Sequence, residues 1–323
     1  MAEERVDSQE IGDYLSQVLG QEVTVTTNRS TPGINVLVEG QLGTETEVVA
    51  KLIQRPPLNN SEQQRLVQSA NILRHFNQTN DRMVPVPKPI YANGETTQLG
   101  DRTYYGLLVM EKMPGVTMAS IWRQLPFGEQ VGLGRVLGKV VRRIHQTTAD
   151  EVALTPPISW ENYVGQVRQW NEQLANDRLM DKETLQDAWQ FIQDRTTQWS
   201  YRGALKLVHT DLSADNVLVW WDGEHRPAVT AILDWEWSIF GDPLYDFLGL
   251  QEELFGGDRE VSEVFFQSYG INMNDFLVQD RLRVSEVVAE IHNASVGYLH
   301  HNPDDRMFQV TEQKLRQLVN GQK

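Results

Sequence analysis

The sequence predicts an α+β protein built as two lobes, a small N-terminal lobe of antiparallel β-sheet and a larger, mainly helical C-terminal lobe. Three observations carry this expectation. Runs of β-branched residues separated by turn residues fill the first third of the chain, helical periodicity dominates after Pro114, and one strand-rich island interrupts the helices between residues 205 and 236. The change of character near Pro114 divides the chain into an expected lobe of residues 1–113 and a second of residues 114–323.

Residues 22–28 (EVTVTTN), 34–40 (INVLVEG) and 46–53 (TEVVAKLI) alternate apolar and polar positions or run β-branched, with Gly40 and Gly43 between them, and read as strands. A helix is expected from Ser61, which stands at capping-box spacing from Gln64, to about Gln78, with Leu66, Ala70 and Leu73 on its apolar stripe. VPVPKPI (residues 84–90) cannot be helical and reads as an extended connector. YYGLLVMEKM (residues 104–113) is an expected buried strand ended by Pro114 and Gly115. Residues 129–147 place Leu133, Val136, Leu137, Val140 and Ile144 at helical spacing, and residues 181–199, 259–269, about 275–300 and 311–320 read similarly.

Composition excludes several classes of function. With 323 residues, 40% hydrophobic and 9% aromatic, the chain has the make-up of a globular protein that buries a large core. The absence of cysteine removes disulfides, thiol nucleophiles and thiolate metal sites. A formal charge of −15 argues against a dedicated nucleic-acid binder, which needs a basic face for the phosphates. Such a surface favours solubility and also attracts cationic molecules. No stretch approaches the roughly 20 apolar residues of a membrane span, so no membrane association is expected. The first thirty residues are acidic and amphipathic rather than a basic-then-apolar leader, which makes the cytoplasm the expected location. The oligomeric state is left open.

The chemistry concentrates in residues 207–238, LVHTDLSADNVLVWWDGEHRPAVTAILDWEWS. Asp222-Gly223 between two apolar runs predicts an antiparallel hairpin whose loop centres near residue 225. Asn216 and Asp234 lie equally far from that centre and meet at the open end, and Asp211 precedes the first strand at the same end. Taken singly, each of these residues is more often a turn cap or a strand end. Together, two carboxylates and an amide form an oxygen-rich set of the kind that suits Mg²⁺ and phosphate, with a carboxylate to spare for accepting a hydroxyl proton.

His209-Thr210-Asp211 with Asn216, then Ile232-Leu233-Asp234-Trp235-Glu236, then Gly241-Asp242-Pro243-Leu244-Tyr245-Asp246, resembles the aminoglycoside phosphotransferase family. That family shares a two-lobed fold with protein kinases and choline kinases. Its usual patterns are H-G-D-x-x-x-x-N, I-D-W-E and G-D-P-x-Y-D, so Thr210 departs from a glycine. The resemblance implies a protein-kinase-like fold and a small-molecule kinase that uses ATP or GTP. It implies Asp211 as catalytic base, Asn216 and Asp234 as Mg²⁺ ligands, His209 as a brace of the loop and Asp246 as its anchor. Only about ten residues separate Asp234 from Asp246, too few for a protein-kinase activation segment, which argues against a peptide substrate.

The resemblance extends upstream. EVVAKLI contains a V-A-x-K-like strand, so Lys51 is expected on the nucleotide phosphates. Across a hairpin centred near Gly43 it would face Asn35, beside the Ser30-Thr31-Pro32-Gly33 turn, whose backbone N–H groups suit phosphate. The Glu111 carbonyl and the Met113 N–H stand where the family's hinge holds the purine edge. The glutamate that a kinase helix pairs with the strand lysine is missing: the position holds Ser69 beside Gln68, and Glu62 lies about 10 Å earlier on the same stripe. Either the helix is shifted so that Glu62 serves as the partner, or Lys51 is held differently. Trp237, Glu252 and Glu253 are candidates for the acceptor lining. The competing function is a catalytically silent nucleotide-binding protein, motivated by the missing glutamate.

Overall fold

The computed structural model describes residues 8–31, 35–54, 56–57, 63–79, 83–152, 160–198, 206–301 and 305–321. Strands β1 (Val23–Thr31), β2 (Asn35–Leu42), β3 (Thr46–Ile53), β4 (Pro89–Asn93) and β7 (Leu107–Glu111) form one antiparallel sheet in the order β1-β2-β3-β7-β4. Alternation along β2 and β3 turns Val36, Val38, Val48 and Ala50 inward. They form a core with Ile11 and Leu15 of helix α1 (Ser8–Leu19), four residues apart on one helical face. β5 (Thr97–Leu99) and β6 (Arg102–Tyr104) form a short hairpin beside this sheet.

The loop between β2 and β3 moves one expected pairing. Gly43 adopts φ +62° in a turn that places Leu42 opposite Thr46. The loop therefore centres on residue 44, and Lys51 pairs with Leu37 rather than Asn35, whose partner is Ile53. A shift of two along the partner strand leaves Lys51 on the expected face.

Helix α2 (Arg65–Gln78) packs on β4 and β7 with Leu66, Ala70 and Leu73 buried. Its N-cap is Gln64, which makes no side-chain capping bond; Ser61 lies outside the described residues. The Pro-rich connector carries neither helix nor strand over residues 85–88 before β4 begins. Beyond β7 the chain crosses to the second lobe, where β8 (Val116–Thr117) pairs with β10 (Val217–Trp220). Gly115 makes this crossing possible: φ is +114°, and a Cβ there would stand 2.7 Å from the Val219 carbonyl oxygen.

The second lobe is mainly helical. After the single turn α3 (Met118–Ile121) come α4 (Phe127–Ile144), α5 (Trp160–Asn176) and α6 (Lys182–Gln198), and after the strands α7 (Leu250–Glu253), α8 (Arg259–Tyr269), α9 (Phe276–His301) and α10 (Asp305–Asn320). β10 pairs with β11 (Ala228–Ile232) as the expected hairpin, whereas β9 (Lys206–Val208) pairs with β12 (Ile239–Gly241). One apolar cluster runs from Leu66 and Leu73 of α2 through Leu137 of α4 to Trp235 and Phe265, so α2 shares its core with the helical lobe. Among the described residues, no helix is long and apolar enough to cross a membrane.

Candidate active site

The β10–β11 hairpin brings the chemistry-bearing residues to its open end. Val217 pairs with Ile232, and the Leu233 N–H donates to the Asn216 carbonyl at 2.8 Å, which sets Asn216 beside the start of the Asp234 segment. The amide of Asn216 donates to the Asp211 carbonyl at 2.8 Å and to Asp211 Oδ2 at 2.9 Å. Both partners accept, so Nδ2 must face Asp211, and Oδ1 of Asn216 remains for another ligand. Asp234 sits at φ +63°, a left-handed turn that aspartate tolerates, and Oδ1 of its carboxylate meets Lys51 Nζ at 2.9 Å. An amide oxygen and the second oxygen of Asp234 are hard donors of the kind Mg²⁺ accepts. Two such donors fit a cation that takes its remaining ligands from phosphate and water.

The Asp211 carboxyl is held above the usual aspartate range. Packing around it disfavours its charge and the nearby Asp234 adds to this, while His209, the Asn216 amide and Lys51 act in the opposite sense. A carboxylate so tuned is a better proton acceptor than an ordinary surface aspartate.

Lys51 is buried on β3 and bridges two carboxylates, Asp234 and Glu236. Gln68 and Ser69 of α2, at the position where a helix glutamate was expected, are buried and neutral. Glu62 lies outside the described residues. The lysine thus finds its carboxylates on the Asp234–Glu236 segment, with Glu236 on the short 3-10 turn Trp235–Trp237. Glu236 had no role in the sequence reading, although it stands in the motif itself. The signal was the D-x-E spacing directly after a strand.

The loop carrying Asp211 is pinned from below. Asp246 is buried and accepts from the His209 N–H at 2.9 Å, the Thr210 N–H at 2.6 Å and His145 Nε2 at 2.9 Å. His145 Nδ1 lies 2.9 Å from the Tyr269 hydroxyl, whose own ionisation burial pushes up. The His209 ring takes the Asp211 N–H on Nδ1 at 3.3 Å and reaches the Leu233 carbonyl through Nε2 at 2.7 Å. The first contact makes Nδ1 the acceptor, so Nε2 carries the proton given to Leu233. Thr210 adopts φ +69° and donates its hydroxyl to the Trp237 carbonyl at 2.9 Å.

Trp237 connects the lobes, for the Arg65 guanidinium of α2 stacks over its ring 3.4 Å from the centroid. A cavity of about 90 Å³ between the lobes is lined by Asn35, Lys51, Arg65, Asp234, Glu236 and Trp237, among others. On the helical side, His292 stacks on Trp170 at 4.7 Å between centroids, and burial together with Arg65 pulls its pKa down to about 4. Desolvation, with the charge of Asp211, holds the Glu253 carboxyl above the usual range; Glu252 and Glu253 are both exposed, and Glu252 lies against Gly257. Ser30 belongs to β1 opposite Val36, and Gly33 lies outside the described residues. Glu111 ends β7 with its side chain 3.2 Å from Lys88, and Met113 follows in the crossing.

Comparisons with known proteins agree with this architecture. Solved structures of similar fold include the ADP-bound aminoglycoside phosphotransferase APH(2'')-Ib, at 17% identity and TM-score 0.66 over 97% of each chain. The GDP complex of aminoglycoside 2'-phosphotransferase-IIIa is 14% identical, with TM-score 0.67 over 98% of this chain and 100% of that one. Macrolide 2'-phosphotransferase MphH from Brachybacterium faecium is 18% identical, with TM-score 0.60 over 97% and 98%. A search by sequence among curated proteins finds no match. The family model APH, described as the phosphotransferase enzyme family, matches residues 38–286. That span is well over half of the sequence, and with the kinase-like two-lobed fold it shows that the chain belongs to the phosphotransferase enzyme family.

Proposed function

We propose that the protein transfers the γ-phosphate of ATP or GTP to a hydroxyl of a small molecule, an aminoglycoside-like compound or another small metabolite. The observation that carries this reading is the convergence of Asp211, Asn216 and Asp234 at the open end of one hairpin, with Lys51 of β3 on Asp234 where the two line the cavity between the lobes. Residues 1–113 form the nucleotide-binding lobe and residues 114–323 the catalytic and acceptor-binding lobe. Lys51 holds the nucleotide phosphates, with Ser30 at the end of β1 beside them. The Glu111 carbonyl and the Met113 N–H hold the purine edge. Asn216 and Asp234 are the ligands for Mg²⁺, which when bound would screen the charge on the transferring phosphoryl group.

Asp211 accepts the proton of the acceptor hydroxyl as that oxygen bonds to the γ-phosphorus, and the bond from phosphorus to the β,γ-bridging oxygen breaks to release the nucleoside diphosphate. The acceptor lies between the Asp211 loop and the later helices, with Trp237 and Glu253 at its edge. Its need for ATP or GTP places the enzyme in the cytoplasm. The silent-protein alternative rested on the missing helix glutamate, and Glu236 supplies a carboxylate to Lys51 from another element.

The test is a screen of small hydroxylated compounds, amines included, for acceptor-dependent release of ADP or GDP. Asp211→Asn is then expected to remove turnover while nucleotide affinity changes by no more than a few-fold. Nucleotide binding without turnover on any acceptor would favour the silent alternative, and turnover retained by the variant would remove Asp211 as the base.

A further inference from the structure

We propose that Thr210 is a positioning residue for phosphate transfer, its hydroxyl tying the loop that carries Asp211 to the segment that carries Asp234. The inference rests on the phosphotransfer reading above. At φ +69° Thr210 lies in the left-handed region, which a β-branched residue seldom enters and which glycine adopts freely. Strain of this kind persists where the surroundings over-determine it, and two hydrogen bonds do so here. The Thr210 N–H donates to Asp246 Oδ1 at 2.6 Å, a contact that glycine would keep. The hydroxyl donates to the Trp237 carbonyl at 2.9 Å, a contact that glycine would lose.

What the second bond adds becomes clear along the chain. His209 Nε2 holds the Leu233 carbonyl at 2.7 Å, immediately before Asp234, and Thr210 holds the Trp237 carbonyl immediately after Glu236. Two neighbouring residues of one loop therefore clamp both ends of the segment that presents Asp234 and Glu236 to Lys51. Without the hydroxyl the far end is next held only at Ile239, where β12 pairs with Val208 of β9, and the carbonyl of Trp237, on whose ring Arg65 of the N-terminal lobe stacks, loses its tie to the Asp211 loop. The residue that departs from the family's glycine thus acts through Asp234 and Trp237, not on the reacting atoms.

The experiment compares Thr210→Ser, Thr210→Ala and Thr210→Gly by steady-state kinetics and by hydrogen exchange of peptides covering residues 233–241. Losing one hydrogen bond of ordinary strength is expected to lower kcat about five- to tenfold in the Ala and Gly variants. The nucleotide KM should stay within about twofold, exchange in 233–241 should quicken, and Ser should rescue both. A Gly variant with the parent kcat and unchanged exchange overturns the proposal. Gly relieves the backbone strain, so a poorly folding Ala variant leaves that comparison intact. If the parent turns over no acceptor, the exchange data still decide: quickening in Ala and Gly with rescue by Ser upholds the clamp, and its absence removes it. Parent turnover with a silent Gly substitution sinks the clamp alone and leaves the phosphotransfer reading standing.

Discussion

Removing Asp246 probes most directly how the Asp211 loop is held. The side chain is 1% exposed and accepts three hydrogen bonds, from the His209 N–H at 2.9 Å, the Thr210 N–H at 2.6 Å and His145 Nε2 at 2.9 Å. Burial alone would raise its pKa, but the hydrogen bond and charge of His145, with His209, outweigh this and hold the carboxyl below the usual range. Asp246→Ala leaves two backbone donors and an imidazole without their acceptor. An orphaned buried donor costs about 1–3 kcal/mol and a broken buried pair about 3–5 kcal/mol, so the expected loss is about 4 kcal/mol. At about 2 °C per kcal/mol for a chain of this size, Tm falls by about 8 °C.

Asp246→Asn is a finer probe, because its single oxygen still accepts while its NH₂ must face one of the three donors. Its expected cost is about 1–3 kcal/mol. The sign with pH follows from the lowered carboxyl. Its contribution is present above the unfolded aspartate pKa of about 3.9 and is lost as pH falls through the folded value, so parent and Ala variant converge in acid. Thermal unfolding across pH measures all of this. An Ala variant within about 2 °C of the parent at neutral pH, or an Asn variant as damaged as Ala, would refute the accounting.

Lys51→Met leaves Glu236, 8% exposed on its side chain, beside Asp234 without the bridging ammonium. It is expected to cost about 3 kcal/mol, mostly regained on adding Glu236→Gln; a single variant as stable as the parent in urea unfolding contradicts the bridge. Because the Asp211 carboxyl is held above the usual range, kcat/KM should fall on the acid side with a midpoint above about 3.9, and a midpoint at or below that value counts against Asp211 as the base. His292, pulled down to about 4, favours the neutral ring, so its contribution is present above about 6.5 and lost as pH falls toward 4. His292→Phe should flatten the pH profile of unfolding free energy by up to about 3 kcal/mol across that window, and an unchanged profile would show that the ring does not titrate with folding.

Much of this molecule is legible in its sequence because the decisive patterns are local. TEVVAKLI forms the strand at its expected bounds, the helix at Arg259–Tyr269 coincides with its predicted span, and the Asp222-Gly223 turn closes the hairpin that brings Asn216 beside the Asp234 segment. What escaped was set by geometry that periodicity does not encode. Ile11 and Leu15 of α1 lie one helical turn apart, but the short acidic stretch that carries them shows only an amphipathic character, which does not by itself mark a helix. The loop at Gly43 moved the partner of Lys51 by two residues without changing its face. The carboxylates for Lys51 come from Asp234 and Glu236 because a left-handed residue followed by a tight turn aims two side chains, two positions apart, at one ammonium. In a regular helix such a pair would diverge.

If Asp234 holds Mg²⁺ as proposed, the ammonium of Lys51 and the divalent cation would draw on the same carboxylate, with a thermodynamic consequence. Once a polyphosphate attracts the lysine, Asp234 is released from part of its internal neutralisation and its appetite for an external cation rises. Linkage makes the effect mutual: each ligand tightens the other by one and the same factor. Calorimetric titration of nucleotide with and without Mg²⁺, and of Mg²⁺ with and without nucleotide, should close a square whose opposite sides differ equally. With Lys51→Met, the part of that cooperativity contributed by the lysine should vanish.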